Sequence, residues 1–281
     1  MTPAAARAFL QRHGLVANKE LGQNFLCDEA QAEKLVRLAE VEPGAGVLEI
    51  GTGLGILTRA LARRARAVTT IEIDAGLVRA LAAESVLPPN ARLLHADALE
   101  VDLAAEIAAL EGGGAPVRIV ANLPYSAATP LMRRFLDLAP QLAGWAVMLQ
   151  REVALRIGAQ PGTSDYGSFA VLHQLVARVK LGLALHPQCF YPAPRVVSSF
   201  ALLTPRADFA LGPGELEAVE RLVRAAFAHR RKTLVTSLRH HGEIDSARVA
   251  SWLTRAGLDR RARAEALAPA EWLALARELR A

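Results

Sequence analysis

Two cysteines in 281 residues, Cys27 and Cys189, are too few and too far apart for a disulfide framework or a Cys/His zinc site. Reduced thiols and no metal are expected. Lysine is almost as scarce: 4 Lys stand against 29 Arg, in a chain of formal net charge +5. The planar guanidinium suits phosphate recognition and stacking on bases, although a GC-rich genome or a thermophilic source biases the count the same way. No apolar run reaches the roughly 18 to 20 residues that span a bilayer. Nor does any early stretch join a charged start, a long apolar run and a small-residue cleavage site. A soluble cytoplasmic protein with no membrane partner is expected.

What is present is a rhythm. After predicted helices at 2–11 and 28–40, short apolar runs alternate with helical segments from Gly46 onward. The runs are GVLEI (46–50), AVTTIEI (67–73), ARLLHA (91–96), PVRIVA (116–121) and GWAVMLQ (144–150). Candidate helices lie between them at about 55–65, 75–84, 102–110 and 128–138. Such alternation predicts an α/β fold, a mostly parallel sheet with helices on both faces. Two more strands are expected at 178–186 and 196–203, joined by the three-proline loop HPQCFYPAPR (186–195). Beyond Ala207 the pattern is helical, at 214–228, 231–240, 246–256 and 269–280. The expected division is an α/β domain over 1–207 and a small all-α domain over 208–281.

VLEIGTGLGILT (47–58) runs from a strand through a glycine turn into a helix. Gly51, Gly53 and Gly55 allow a sharp turn and a close ligand approach. Glu72 follows Gly51 by 21 residues, at the tip of the second strand, where an acid accepts hydrogen bonds from ribose hydroxyls. The dinucleotide fingerprint G-x-G-x-x-G is incomplete here, and Glu49 just before the turn disfavours a pyrophosphate. S-adenosylmethionine, cationic and without phosphate, fits best; an NAD-type cofactor and a purely structural glycine turn remain. Asp97, after the third strand, is read either as an acceptor for an adenine amino group or as a helix N-cap.

The fourth strand ends in Asn122-Leu123-Pro124-Tyr125. An adenine exocyclic amine is a poor nucleophile because its lone pair is delocalised into the ring. The Asn122 side-chain oxygen and the Leu123 carbonyl are placed to accept its two N–H bonds and to stabilise the charge that develops on methyl transfer. Pro124 stiffens the turn, and Tyr125 offers a flat face to an unstacked base. The plainer alternative is a capped loop with a buried tyrosine.

LGQNFL, VLEIGTGLGILT, IEID, DAL, NLPY, CFYPAPRVVSS and AFAHRRKTL occur in that order, and together they resemble the ribosomal RNA adenine dimethyltransferase family over roughly 20–281. The resemblance implies a Rossmann-like S-adenosylmethionine methyltransferase sheet with a helical C-terminal domain. It implies dimethylation of two adjacent adenosines near the 3′ end of small-subunit rRNA, within a pre-assembled small ribosomal subunit, by a monomeric enzyme. It assigns cofactor contacts to Asn24, Leu26, Gly51, Glu72, Asp97 and Asn122, to which the glycine-turn reading adds Glu49 and Gly53. Thr52 stands where the family commonly has proline, which loosens the turn. The QNFL segment becomes a lid over the cofactor rather than an ordinary helix-linking turn. Phe190 becomes a second aromatic wall opposite Tyr125, with core packing its competing role.

Between Arg221 and Gly242 there is no acid, while Arg221, Arg224, His229, Arg230, Arg231, Lys232, Arg239, His240 and His241 accumulate. Such a run is expected to bind the rRNA backbone, chiefly through Arg221, Arg224, Arg230, Arg231 and Lys232. Two other functions share these features: a large-subunit rRNA adenine methylase of the antibiotic-resistance type, and a non-catalytic ribosome-assembly factor.

Overall fold

Apolar runs bounded by turn residues become the strands of a seven-stranded sheet. In a computed structural model, which describes residues 1–112, 116–208, 211–240 and 245–280, the strands are β1 (Phe25–Leu26), β2 (Gly46–Ile50), β3 (Ala67–Glu72), β4 (Ala91–His95), β5 (Val117–Asn122), β6 (Leu142–Gln150), β7 (Ala177–Leu185), β8 (Phe190–Tyr191) and β9 (Ser198–Pro205). The large sheet has the order β4-β3-β2-β5-β6-β9-β7, and β1 pairs with β8 in a separate two-stranded sheet. Strands β2 to β6 pair in parallel, and β9 runs antiparallel to β6. Every residue of β2 is buried, as expected of a central parallel strand covered on both faces.

The helices are α1 (Pro3–Arg12), α2 (Glu29–Leu38), α3 (Ile56–Ala62), α4 (Ala75–Ala83), α5 (Leu103–Leu110), α6 (Ala128–Leu138), α7 (Arg151–Ile157), α8 (Ser168–Val176), α9 (Glu215–Phe227), α10 (Leu234–Arg239), α11 (Ser246–Arg255) and α12 (Pro269–Arg280). Side-chain oxygens of Thr2, Asp28, Asp74 and Asp102 cap α1, α2, α4 and α5 by accepting from backbone N–H groups of the first turn. Helix α3 starts instead at Gly55, in the left-handed region at φ 72°, with no side-chain cap. None of the described helices is long and apolar enough to cross a membrane.

The chain divides into two compact units, Met1–Ala154 with Lys180–Pro205, and Leu155–Val179 with Arg206–Ala281. Residues 155–179, which the sequence placed in the α/β domain, therefore group with the C-terminal helices. The reason lies in a buried aromatic: the Tyr166 hydroxyl donates to Leu267 O at 2.9 Å, and its ring meets Phe227 edge-on at 6.3 Å. Phe227 in turn packs on Trp272 at 5.9 Å.

In the first unit, the two cysteines that lie far apart in sequence are drawn together. The β1–β8 register sets Leu26 opposite Phe190, and Cys27 N donates to Cys189 O at 2.8 Å. Both thiols are free.

Candidate active site

Strand β2 has β3 on one side and β5 on the other, so the chain leaves it in two directions. A crevice opens at the carboxyl ends of the strands where an open α/β sheet reverses order in this way. Here it forms a cavity of about 340 Å³, lined by 21–26, 50–54, 71–73, 96–99 and 122–127 among other residues. No described Lys, Arg or His lines it, whereas Glu72 and Asp97 do. A pyrophosphate would find acids and no cation there, while a cationic ligand would be favoured.

Glu72 is 5% exposed and held by two backbone donors: Gly53 N bonds Oε2 at 2.9 Å and Asp74 N bonds Oε1 at 3.0 Å. Burial pushes its carboxyl above the ordinary range, and these two bonds oppose the shift. The glycine turn is thus pinned to the acid. Gly53 sits at φ 54°, and a Cβ there would come within 3.1 Å of the Phe25 ring, so the segment expected to form a lid lies directly on the turn. The Thr52 hydroxyl bonds Thr70 at 2.7 Å, which gives back the stiffness that a proline would have supplied. Asp97 accepts from Leu99 N at 2.8 Å in an Asx turn, while α5 is capped by Asp102, so the helix-cap reading of Asp97 does not hold.

Asn122 ends β5 beside the turn. Its Nδ2 donates to Asn24 O at 3.0 Å, and because a carbonyl can only accept, this bond fixes which way the amide points. Oδ1 is left as the acceptor. Leu123, Pro124 and Tyr125 line the cavity next to it, and α6, which begins at Ala128, has no side-chain cap, so Asn122 is not a disguised helix cap. The lid has a further tie that the motif did not reveal. Gln23 Nε2 donates to Asp74 Oδ2 at 2.8 Å, and its Oε1 accepts from Asn18 N at 2.7 Å. Asn24 Nδ2 donates to Gly22 O at 3.0 Å, and Leu26 is buried against the cavity.

Residues 14–281 match the family model described as ribosomal RNA adenine dimethylase. The chain belongs to the ribosomal RNA adenine dimethylase family. Ribosomal RNA small subunit methyltransferase A of Geobacillus thermodenitrificans (strain NG80-2) is 37% identical over 281 residues, covering 99% of this chain and 96% of its own. Its namesake from Anaeromyxobacter sp. (strain K) is 41% identical over 280 residues, covering 97% of each. Among solved structures, the 23S rRNA methyltransferase ErmE superposes with a TM-score of 0.67 at 29% identity, over 92% of this chain and 100% of that one. A dimethyladenosine transferase from Plasmodium falciparum shares the fold, with a TM-score of 0.75 at 22% identity over 89% of this chain and 95% of its own.

Two residues expected at the site, Glu49 from the glycine-turn reading and Phe190 from the resemblance, lie elsewhere. Glu49 is fully buried beneath the turn, where Thr58 Oγ1 donates to its Oε2 at 2.6 Å, and it does not line the cavity. Burial pushes its carboxyl to about 8, so it is largely neutral at pH 7 and offers no charge to a ligand. Phe190 is 2% exposed, sits in the hydrophobic core opposite Leu26 and is outside the cavity lining. Its core role wins because β8 is zipped to the lid strand and turns the ring inward.

The Glu49 shift has a measurable consequence. Unfolded, Glu49 ionises near 4.5; folded, it holds its proton to about 8. Over that window the folded state binds one more proton, so stability falls as pH rises and levels off above it. Glu49→Gln, which carries no charge, is expected to shrink the drop in melting temperature between pH 5 and pH 8 by about 5 °C. Thermal scans at several pH values check this; an unchanged slope would contradict it.

The basic run of the second unit is exposed but not uniformly available. Arg230 Nη2 donates to Ser164 O and Tyr166 O, both at 2.8 Å, and the guanidinium covers the Phe227 ring. It braces its own unit. Arg224 pairs with Glu220 one turn earlier, at 2.7 Å. Lys232 Nζ lies 3.0 Å from His240 Nε2 and holds that histidine below its ordinary range. Arg221 and Arg231 are exposed, and His241 lies outside the described residues.

Proposed function

We propose that this chain is an S-adenosylmethionine-dependent methyltransferase that dimethylates the exocyclic N6 amine of two adjacent adenosines near the 3′ end of small-subunit rRNA, acting in the cytoplasm as a monomer on a pre-assembled small subunit. One observation carries the reading: Glu72 and Asn122, on different strands, open onto a single cavity with no cation in its described lining. The near-full-length relatives named for the small subunit, at 37% and 41% identity, favour that substrate over the large subunit, for which the likeness is 29%.

The residues fit the cofactor. When bound, S-adenosylmethionine supplies an electrophilic methyl on a sulfonium. Glu72, pre-oriented by Gly53 N and Asp74 N, accepts from the ribose hydroxyls; the second oxygen of Asp97 accepts from the adenine amino group; Asn24 and Leu26 cover the methionine end. Gly51, at φ 82°, keeps the turn clear of Cβ atoms.

On the target side, Asn122 Oδ1 and the Leu123 carbonyl accept the two N–H bonds of the amine and favour its developing positive charge. The Tyr125 face receives the extruded base. No base is needed, since the proton acidifies as the bond forms and leaves to water. Arg221, Arg231 and Lys232 are assigned to rRNA phosphates, with Arg224 and Arg230 held partly by intramolecular bonds. Their contribution weakens with salt as counterions compete.

The test is incubation with labelled S-adenosylmethionine and small-subunit particles lacking the modification, followed by nucleoside analysis. The expected product is N6,N6-dimethyladenosine. Label entering only large-subunit RNA would favour the antibiotic-resistance type of activity, and none at all would favour an assembly factor.

A further inference from the structure

Tyr125 is anchored at two points. Its backbone belongs to the turn after β5, and its hydroxyl lies 2.7 Å from Ser198 Oγ. Ser198 is fully buried at the amino end of β9, opposite Gln150 of β6. Strand β6 links the two regions: Met148 stands beside Asn122 of parallel β5 and beside Phe200 of antiparallel β9. The start of β9 therefore reaches the same sheet edge as the end of β5. Burial pushes the Tyr125 phenol above its ordinary range, so the hydroxyl stays protonated and each partner has a hydrogen to give.

A tyrosine held only at Cβ turns about two side-chain bonds; one held at both ends keeps its ring plane. The Gly22 backbone lies close against the turn that carries Tyr125, since a Cβ on Gly22 would come within 3.3 Å of Tyr125 N. We infer that Ser198 is a positioning residue for the methyl acceptor, acting through the Tyr125 hydroxyl to fix the tilt of the ring on which the base rests. The inference builds on the adenine-methylating function proposed above.

Fixing the ring matters most for the second transfer. A monomethylated amine has one N–H left, which must be turned toward an acceptor while its methyl group is accommodated. A base free to rock meets that requirement less often than the requirement for an unmodified amine, which has two N–H bonds to offer. Loss of the Ser198 bond is thus expected to raise the proportion of product that stops at one methyl group.

The experiment compares Ser198→Ala, Tyr125→Phe and the double variant with the unaltered chain on unmodified small-subunit particles. It measures kcat, cofactor Kd, melting temperature and the ratio of N6-monomethyl- to N6,N6-dimethyladenosine. Each single variant is expected to lower kcat by about fivefold to tenfold. Each should also raise the monomethyl share severalfold, with cofactor Kd within about twofold, and the double variant should be no worse than either single. The idea is overturned if Ser198→Ala lowers the rate by the same factor in the Tyr125→Phe background as in the unaltered chain, or if the product ratio does not move. Should Ser198→Ala fail to fold, Tyr125→Phe must still raise the monomethyl share, and an unchanged ratio overturns the idea. Failure of the underlying function looks different: the unaltered chain would itself transfer no methyl to the particles.

Discussion

Asn122→Ala is expected to lower kcat by about 10²- to 10³-fold, the range that follows loss of one preorganised group stabilising charge in a transition state. Cofactor Kd should rise by no more than about tenfold, because the side chain's tie to the small ligand's side of the cavity is one neutral hydrogen bond to the lid. The split arises from the two ends of the amide. Nδ2 clasps Asn24 O at 3.0 Å, which leaves Oδ1 as the atom proposed to meet the methyl-accepting amine. Asn122→Asp separates the two duties: it keeps an oxygen for the amine but loses the donor, and sets a carboxylate against the Asn24 carbonyl. It should therefore turn over nearly as poorly as alanine and bind cofactor less well. Single-turnover kinetics with equilibrium binding give both numbers; a loss of affinity with kcat unchanged for Asn122→Ala would mean that the residue only binds.

Glu72→Ala has its largest effect on affinity, with an expected rise in cofactor Kd of about a hundredfold, or roughly 3 kcal/mol for two charge-assisted hydrogen bonds. Glu72→Gln should do little better. Each oxygen of the Glu72 carboxylate accepts from a backbone donor, Gly53 N or Asp74 N, and in the proposed complex two ribose hydroxyls would donate to it as well. An amide turns one acceptor into a donor and forces N–H against N–H wherever it points. Titration calorimetry decides the matter, and a glutamine variant that binds like the unaltered chain would show that the acid serves the glycine turn alone.

Much of this was legible in the residues. The strand–helix alternation predicts β2 to β6 within a few residues, because Gly51, Asp74 and Pro124 punctuate the ends of β2, β3 and β5. Helix α8 escaped notice: SFAVLHQLV is apolar on nearly every side, buried against its neighbours, and so lacks the polar stripe by which a surface helix is recognised. The two-residue strands β1 and β8 are too short to leave any periodicity.

At the site, Glu72, Asp97 and Asn122 stand at strand ends, where position alone sends them to the crevice. Glu49 is misplaced because it lies one residue before the end of β2, where its side chain turns toward Thr58 of α3 rather than the cavity. Arg230 carries the same lesson over a longer span: its partners, Ser164 and Tyr166, are more than 60 residues away and invisible to a count of local charge.

The short β1–β8 zipper has a bearing on how the protein exchanges its small ligand. The strip bearing Asn24 to Leu26 pairs with Phe190 and Tyr191 rather than with a strand of the seven-stranded sheet, to which the Asn122 side chain ties it at Asn24 O. Peeling it back breaks its main-chain bonds and the Asn122 bond and uncovers Phe25 and Leu26, yet it leaves the pairing of the central strands unchanged. Opening at the mouth calls for no unfolding of the central strands, so under the proposed function a chain with a hardier sheet is expected to exchange its small ligand no more slowly.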